Sequence, residues 1–288
     1  MPPAEVRIDE RMVRALLREQ HPDLAGLPLR LAAAGWDNET WRLGQELAVR
    51  LPRRALGATL LEHERRWLPD IADRLPAAVP APLRTGHGSE DLGYPWNWHV
   101  VPWFEGATAD RERLSALGAQ RLGTALRAVH RPAPPAAPVN PWRSCALHER
   151  DPPLNVLAST GYAAHAPGLR AVWEAALAAD PAPVRVWVHG DVHVRNVLVR
   201  DGDLVALLDW GDLCAGDPAV DLGARWTVLD GTHAQAFHEG YGPVDEHLEA
   251  RARGWALVFS SIVLAALEHD DPTWAALARA SLDRLAAS

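Results

Sequence analysis

Three polar side chains stand at intervals that suggest metal-dependent chemistry on a phosphate group. Asp191 lies in the segment "VWVHGDVHVRNVLV", Asn196 follows five residues later, and Asp209 follows thirteen residues after that. Carboxylate and amide oxygens are hard ligands of the kind that Mg²⁺ prefers. With a cation between Asn196 and Asp209, Asp191 is left to orient a hydroxyl group and receive its proton. This division of labour suits phosphoryl transfer, whose barrier falls mainly through positioning and charge neutralisation.

The flanking elements must bring these three residues together. Apolar runs at 184–188 and 196–210 predict strands, and Asp201-Gly202 is a favourable hairpin turn. A chain that folds back at this turn returns Asp209 toward Asn196, while Asp191 stays in the loop before the hairpin. We therefore expect the three side chains to converge.

The same segment allows a second interpretation, a metal clip. His189, Asp191 and His193 alternate as on one face of a strand. A zinc hydrolase needs further ligands at recognisable spacing, and none stands out in the sequence. His189 alone is a better candidate for structural support of the loop through a hydrogen bond. The combined spacing of Asp191, Asn196 and Asp209 favours phosphoryl transfer.

These motifs resemble those of the aminoglycoside phosphotransferase family, whose fold is that of protein kinases. "HGDVHVRN" followed by "LLDWGD" has the order of the kinase pattern H-R-D-x-x-x-x-N and D-F-G, with Gly190 in place of the Arg. The resemblance implies that Asp191 is the catalytic base and that Asn196 and Asp209 hold Mg²⁺. In the following "GDPAVDLG", it implies that Asp221 supports the catalytic loop.

The resemblance also implies a nucleotide-binding region in the first third of the chain, with ATP or GTP as co-substrate. The chain has no lysine, so the basic residue that contacts the phosphates from the third strand falls to Arg50. Glu64, on the apolar face of a predicted helix, is its implied partner. No kinase Gly-rich loop is present, and Asn38 becomes the candidate phosphate neighbour. Adenine is expected at the carbonyl of Pro102 and the amide of Phe104.

The spacing of apolar residues changes between strand-like and helix-like along the chain. This pattern predicts an α+β, protein-kinase-like fold in two lobes. A helix within 4–20, an antiparallel meander over 29–52 and a helix over 55–75 belong to a nucleotide-binding lobe at 1–105. Residues 106–288 are predicted to form a mainly helical lobe for catalysis and substrate binding. Its predicted helices are 111–130, 167–179, 217–229, 245–268 and 272–286. Its proline-rich stretch, "RPAPPAAPVNPW", is interpreted as a surface loop.

Composition narrows the function classes. The net charge of −8 disfavours a nucleic-acid binder, which normally has a basic footprint. No apolar run approaches the roughly 20 residues of a membrane span, and charges interrupt the N-terminus where a signal peptide is apolar. We therefore expect a cytoplasmic protein, monomeric or homodimeric. Cys145 and Cys214 provide no disulfide framework.

Several acceptors fit the sequence. The resemblance implies an aminoglycoside-type antibiotic, a polycation that the acidic residues of 106–288 would attract. Glu268, Asp270 and Asp271 lie where family members collect substrate amines, although a solvated helix end explains them equally well. The apolar stretch 255–267 keeps a macrolide kinase open, since it could line an apolar pocket or belong to the core. A kinase of another small alcohol and a non-catalytic nucleotide-binding regulator are further alternatives, but a regulator has no need of a catalytic base.

Overall fold

An antiparallel sheet dominates the first part of the chain and helices dominate the rest, over the residues that this computed structural model describes, 3–160, 162 and 166–287. Two units are formed, one from Met1–Arg74 with Ala78–Glu105 and the other from Leu75–Ala77 with Gly106–Ser288. The first is built on an antiparallel sheet and the second is mainly helical. This arrangement confirms the predicted α+β class.

The first unit contains a five-stranded sheet of order β1-β2-β3-β5-β4, antiparallel throughout. Its elements are α1 Glu10–Gln20, β1 Leu29–Ala34, β2 Asn38–Leu43, β3 Leu47–Pro52, α2 Ala55–Ala72, β4 Arg84–Gly86 and β5 Trp98–Pro102. Val13, Leu16 and Leu17 recur at helical spacing on α1 and are buried with Trp41 and Val49 of the sheet. The predicted meander over 29–52 is present as β1, β2 and β3.

The second unit contains small sheets of order β10-β7 and β6-β8-β9 among its helices. Its strands are β6 Ala107–Thr108, β7 Val186–Val188, β8 Val197–Arg200, β9 Asp203–Leu207 and β10 Cys214–Gly216. Its helices are α3 Ala116–Val129, α4 Pro153–Leu157, α5 Ala166–Ala178, α6 Ala219–Leu222, α7 Ala224–Thr227, α8 Ala234–Tyr241, α9 Glu246–Leu267 and α10 Pro272–Ala286. The single helix predicted over 217–229 is wrong, because Gly223 separates α6 from α7.

The β8–β9 hairpin carries the predicted turn. Asp201 and Gly202 both have positive φ, 55° and 74°, as a two-residue turn with the twist of its strands requires. Val197 pairs with Leu207 at the open end of the hairpin. The hairpin therefore returns the chain to the end of the loop that contains Asp191.

Helix α9 is long and apolar enough, by length and composition, to cross a membrane. However, 61% of its apolar window is buried inside the structure, and the helix packs against α5 and α10. Gly254 permits a close approach to α5, since a Cβ there would lie 2.6 Å from Cβ of Ala176. These contacts are those of a core helix.

Candidate active site

The loop between β7 and β8 is anchored by Asp221 of α6. Asp221 Oδ2 accepts a hydrogen bond from the His189 backbone N–H at 2.7 Å, and Oδ1 accepts one from the Gly190 N–H at 2.8 Å. Nε2 of His130 lies 3.0 Å from Oδ2. Burial raises the pKa of Asp221, but the interactions with His130, His189 and the Gly190 N–H outweigh it, so that the pKa lies below its ordinary value.

His189 ties the loop to the end of the hairpin. Its Nδ1 accepts from the Asp191 backbone N–H at 3.2 Å, so the proton on Nε2 is donated to the Leu208 carbonyl at 3.0 Å. The buried ring packs on Trp210, with centroids 4.4 Å apart. Both ring nitrogens are thus used within the loop and hairpin.

Gly190 occupies a position that no other residue would accept without strain. Its φ is +86°, in the left-handed region, and a Cβ there would lie 2.7 Å from the carbonyl oxygen of Asp212. The same Cβ would lie 3.3 Å from Cγ of Arg143. This crowding explains why glycine stands where the protein-kinase pattern has arginine.

The carboxylate of Asp191 is held from both sides. Oδ1 accepts from Nη2 of Arg143 at 2.7 Å, and Oδ2 accepts from Nδ2 of Asn196 at 3.2 Å. Nε2 of His193 lies 3.2 Å from the same Oδ2. Burial raises the pKa of Asp191, but His193 and Arg143 more than offset it, and the pKa lies well below its ordinary range. Asp191 is therefore an ionised carboxylate at neutral pH.

The ends of the loop and hairpin bring Asn196 and Asp209 into the same region. The backbone N–H of Leu208 donates to the carbonyl of Asn196 at 2.8 Å, and Asp209 is the next residue. Asp209 is exposed and has a φ of 57°, a conformation that aspartate tolerates and that is enriched at functional sites. One amide oxygen and one exposed carboxylate form a donor set that fits Mg²⁺, which retains several of its waters.

Sequence analysis missed Arg143, which directly follows the proline-rich stretch 131–142. Its Nε donates to Oδ2 of Asp212 at 3.1 Å, while its Nη2 reaches Asp191. Asn140, three residues earlier, donates to Oδ1 of Asp212 at 2.8 Å. The stretch itself is a surface loop, as predicted, since most of residues 131–142 are exposed and they lie outside the helices and strands. No local spacing signals the contact, because 48 residues separate Arg143 from Asp191.

His193 and Arg195 connect the loop to α9 and α10. The His193 ring stacks on Phe259, with centroids 5.5 Å apart, and lies 4.9 Å from the ring of Trp274. Nη2 of Arg195 donates to Oδ2 of Asp271 at 2.5 Å. Across the described ranges, no group of three His, Cys, Asp or Glu side chains is arranged to hold a metal ion, so the metal clip finds no support.

Of the three carboxylates predicted to bind substrate amines, two form ion pairs with arginines of this chain. Asp271 pairs with Arg195 and caps α10 by accepting from the Trp274 N–H at 3.1 Å. Glu268 accepts from Nη2 of Arg279 at 2.8 Å. Asp270 is exposed between the two helices. An acceptor amine would have to compete with guanidinium groups at two of these positions.

In the first unit, Arg50 of β3 and Glu64 of α2 form the expected pair. Nη1 of Arg50 lies 2.5 Å from Oε2 of Glu64, and the residues are 6% and 1% exposed. Such burial requires pairing, because an isolated buried charge is costly. Asn38 begins β2, and its Oδ1 is buried with no hydrogen-bond partner in the described part of the chain.

Pro102 ends β5, and Phe104 follows it by two residues. The Trp103 N–H donates to the Glu46 carbonyl at 2.7 Å, so the peptide groups of Trp103 face β3. Peptide groups alternate along a strand, and the Pro102 carbonyl therefore faces the opposite edge. β4 pairs with only 98–100 at that edge, which leaves the Pro102 carbonyl beyond the end of β4.

A small pocket of the second unit borders Asp191. Its other walls include Arg143, Val192, Val220, Trp255 and Phe259. The pocket is too small for a whole antibiotic. Apart from Asp191 itself, its walls contain no carboxylate within the described residues.

Comparisons with known proteins agree with this architecture. The structure resembles aminoglycoside 2'-phosphotransferase-IIIa in its GDP complex, with a TM-score of 0.72, 15% identity and coverage of 97% of this chain and 99% of that chain. It also resembles apo macrolide 2'-phosphotransferase MphH from Brachybacterium faecium, with a TM-score of 0.59, 24% identity and coverage of 95% and 97%. These likenesses confirm the predicted kinase-like fold.

Sequence comparison identifies the family. No curated protein sequence matches the chain. The family model APH, described as the phosphotransferase enzyme family, matches residues 28–255. Because this match spans well over half of the chain, the protein belongs to the phosphotransferase enzyme family.

Proposed function

We propose that this phosphotransferase transfers the γ-phosphoryl group of ATP or GTP to a hydroxyl of a small-molecule antibiotic, with Asp191 as the base. The hydroxyl oxygen forms a bond to the γ-phosphorus, the bond from that phosphorus to the β–γ bridging oxygen breaks, and the hydroxyl proton passes to Asp191. The supporting observation is the placement of the ionised Asp191 carboxylate in a pocket and within hydrogen-bond distance of Asn196.

Five further residues are assigned to the metal ion and to the phosphates of the nucleotide. Asn196 and Asp209 would hold Mg²⁺, which supplies positive charge to the β- and γ-phosphates when bound. Solved proteins of the same fold hold GDP or ADP, which supports a nucleotide co-substrate. We assign phosphate contacts to Arg50, supported by Glu64, and to Asn38.

Adenine or guanine is assigned to the backbone of Pro102 and Phe104. The Pro102 carbonyl can accept a hydrogen bond beyond the end of β4, and proline has no N–H to donate. Phe104 is left to supply the donor. We place this activity in the cytoplasm, where nucleoside triphosphates are available.

Two acceptor classes compete, and the pocket favours one of them. Solved proteins of the same fold bind the aminoglycosides kanamycin and gentamicin, which supports an aminoglycoside acceptor. The pocket beside Asp191, however, presents Trp255, Phe259 and Val220 rather than carboxylates. An apolar surface around the reacting hydroxyl suits these walls better than an ammonium group does. A macrolide-type acceptor is therefore the second candidate, favoured by this one observation.

Nucleotide consumption with an acceptor panel tests the proposal. The panel contains an aminoglycoside, a macrolide and a simple alcohol, and the proteins are the wild type, Asp191→Asn and the exposed control Asp91→Asn. We expect Asp191→Asn to bind nucleotide normally and to lose about 10²- to 10⁴-fold in kcat, because the amide cannot take the proton. Turnover with the macrolide alone would favour an apolar acceptor, and turnover with the aminoglycoside alone a cationic one. Full activity of Asp191→Asn would contradict the proposed function.

A further inference from the structure

Arg143, which directly follows the proline-rich stretch 131–142, places its guanidinium beside the proposed catalytic base. We propose that Arg143 is a positioning residue for phosphoryl transfer, which fixes the Asp191 carboxylate so that one acceptor position remains for the substrate hydroxyl. This inference rests on the proposed function, in which Asp191 receives the proton. It adds a residue from outside the catalytic loop and the hairpin.

Three side-chain donors surround the Asp191 carboxylate. An ionised carboxylate offers about four acceptor positions, two on each oxygen. Asn196 at 3.2 Å and His193 at 3.2 Å converge on Oδ2. Nδ1 of His193 accepts from the Arg195 N–H at 3.1 Å, so Nε2 carries the proton and is the donor. Arg143 takes one position on Oδ1 at 2.7 Å, and within the described residues the fourth position is left for a ligand.

The guanidinium of Arg143 is itself held on its other side. Nε donates to Oδ2 of Asp212 at 3.1 Å, so one planar fork spans Asp212 and Asp191. Asp212 is fixed in turn by Nδ2 of Asn140 at 2.8 Å. A guanidinium fork gives both distances a fixed geometry, whereas a lysine ammonium is a single point charge on a flexible stem.

The segment that carries Arg143 is anchored independently of Asp191. Asn140 Oδ1 accepts from the Arg143 N–H at 3.2 Å, and Oγ of Ser144 donates to the Ala215 carbonyl at 2.7 Å. Nη2 of Arg185 donates to the same carbonyl at 2.8 Å and to the Ser144 carbonyl at 3.1 Å. Arg185 is exposed and therefore provides a matched arginine that supports the segment without a hydrogen bond to Asp191.

Steady-state kinetics of Arg143→Ala, Arg143→Lys and Arg185→Ala test the role. We expect Arg143→Ala to lose about 10²-fold in kcat, the usual result of a misplaced catalytic group, with the nucleotide KM nearly unchanged. Guanidinium chloride below denaturing concentrations should restore part of this kcat, since Arg143 borders the pocket and is partly exposed. Equal concentrations of urea or NaCl should not. Arg143→Lys should be intermediate, and Arg185→Ala, which leaves the guanidinium of Arg143 in place, should lose far less kcat than Arg143→Ala.

The outcomes separate this role from a purely structural one. Loss of kcat without rescue by guanidinium, or an equal loss in Arg185→Ala, would overturn the positioning role and leave the proposed function intact. If Arg143→Ala fails to unfold cooperatively on heating, Arg143→Lys decides the question. Wild-type kcat in that variant would contradict the need for a fork, and a reduced kcat at unchanged nucleotide KM would support it. Full activity of Asp191→Asn would remove both proposals together.

Discussion

The glycine between His189 and Asp191 determines the path of the whole loop. We predict that Gly190→Ala lowers kcat by about 10²-fold, because a Cβ at φ +86° would lie 2.7 Å from the Asp212 carbonyl and displace the adjacent Asp191. Gly26→Ala is the matched control, since a Cβ there meets nothing within 4 Å. Steady-state kinetics and thermal unfolding of both variants provide the measurement. Normal turnover in Gly190→Ala would show that the loop tolerates the shift.

For single residues, the sequence predicts contacts between side chains that lie close together along the chain. Asp191 and Asn196 are five residues apart in one loop, and their side chains meet as expected. Arg143 and Asp212 were not predicted, because their contacts with the loop join segments that are distant in sequence. The one local hint was Gly190, since a glycine in place of arginine indicates a close approach by another part of the chain.

Elements with strong periodicity or defined turn chemistry were predictable. The hairpin follows from Asp201-Gly202, and the meander from alternating residues over 29–52. Helix α8 was missed because its short sequence is stabilised by packing on α3. A Cβ at Gly240 would lie 1.9 Å from the Gln120 carbonyl, an approach that only the folded structure reveals.

The buried histidine of β5 makes the stability of its sheet depend on pH. His99 is fully buried, lies opposite Arg50 in the β3–β5 register, and has no hydrogen bond to either ring nitrogen in the described residues. Burial, followed by the charge of Arg50, lowers its pKa to about 4. The unfolded chain, with an ordinary pKa, binds this proton at higher pH. The contribution of His99 is therefore present above about pH 6.5 and is lost as the pH falls toward 4.

We predict that His99→Met removes this part of the acid sensitivity. The linkage amounts to roughly 3 kcal/mol of unfolding free energy between pH 6.5 and 4, from about 1.4 kcal/mol per pKa unit. Denaturant unfolding across this range measures it, with the exposed His148→Met as the matched control. The wild type and His148→Met should lose more stability on acidification than His99→Met. Parallel curves for all three proteins would contradict a buried neutral His99.

For the whole molecule, the net charge and the charges near Asp191 point to different classes of acceptor. A formal charge of −8 suggested attraction of a cationic acceptor. The pocket beside Asp191 instead contains Arg143 and aromatic walls, and Glu268 and Asp271 pair with arginines. The net charge determines the electrostatic field at a distance from the protein. The choice of acceptor depends instead on the groups that are desolvated when the acceptor binds.

Nucleotide binding should be measurable as a change in the stability of the whole protein. A ligand that binds only the folded state stabilises it by about 2.7 kcal/mol at 100 times its Kd, which raises Tm by several degrees. We predict this rise with Mg²⁺ and the preferred nucleotide, ATP or GTP, and its loss when EDTA removes the metal. Asp209→Ala should abolish the Mg²⁺-dependent part, while the exposed control Asp91→Ala should keep it. An equal Mg²⁺-dependent rise in Asp209→Ala would contradict the metal assignment, because the remaining amide of Asn196 brings no charge to bind the cation.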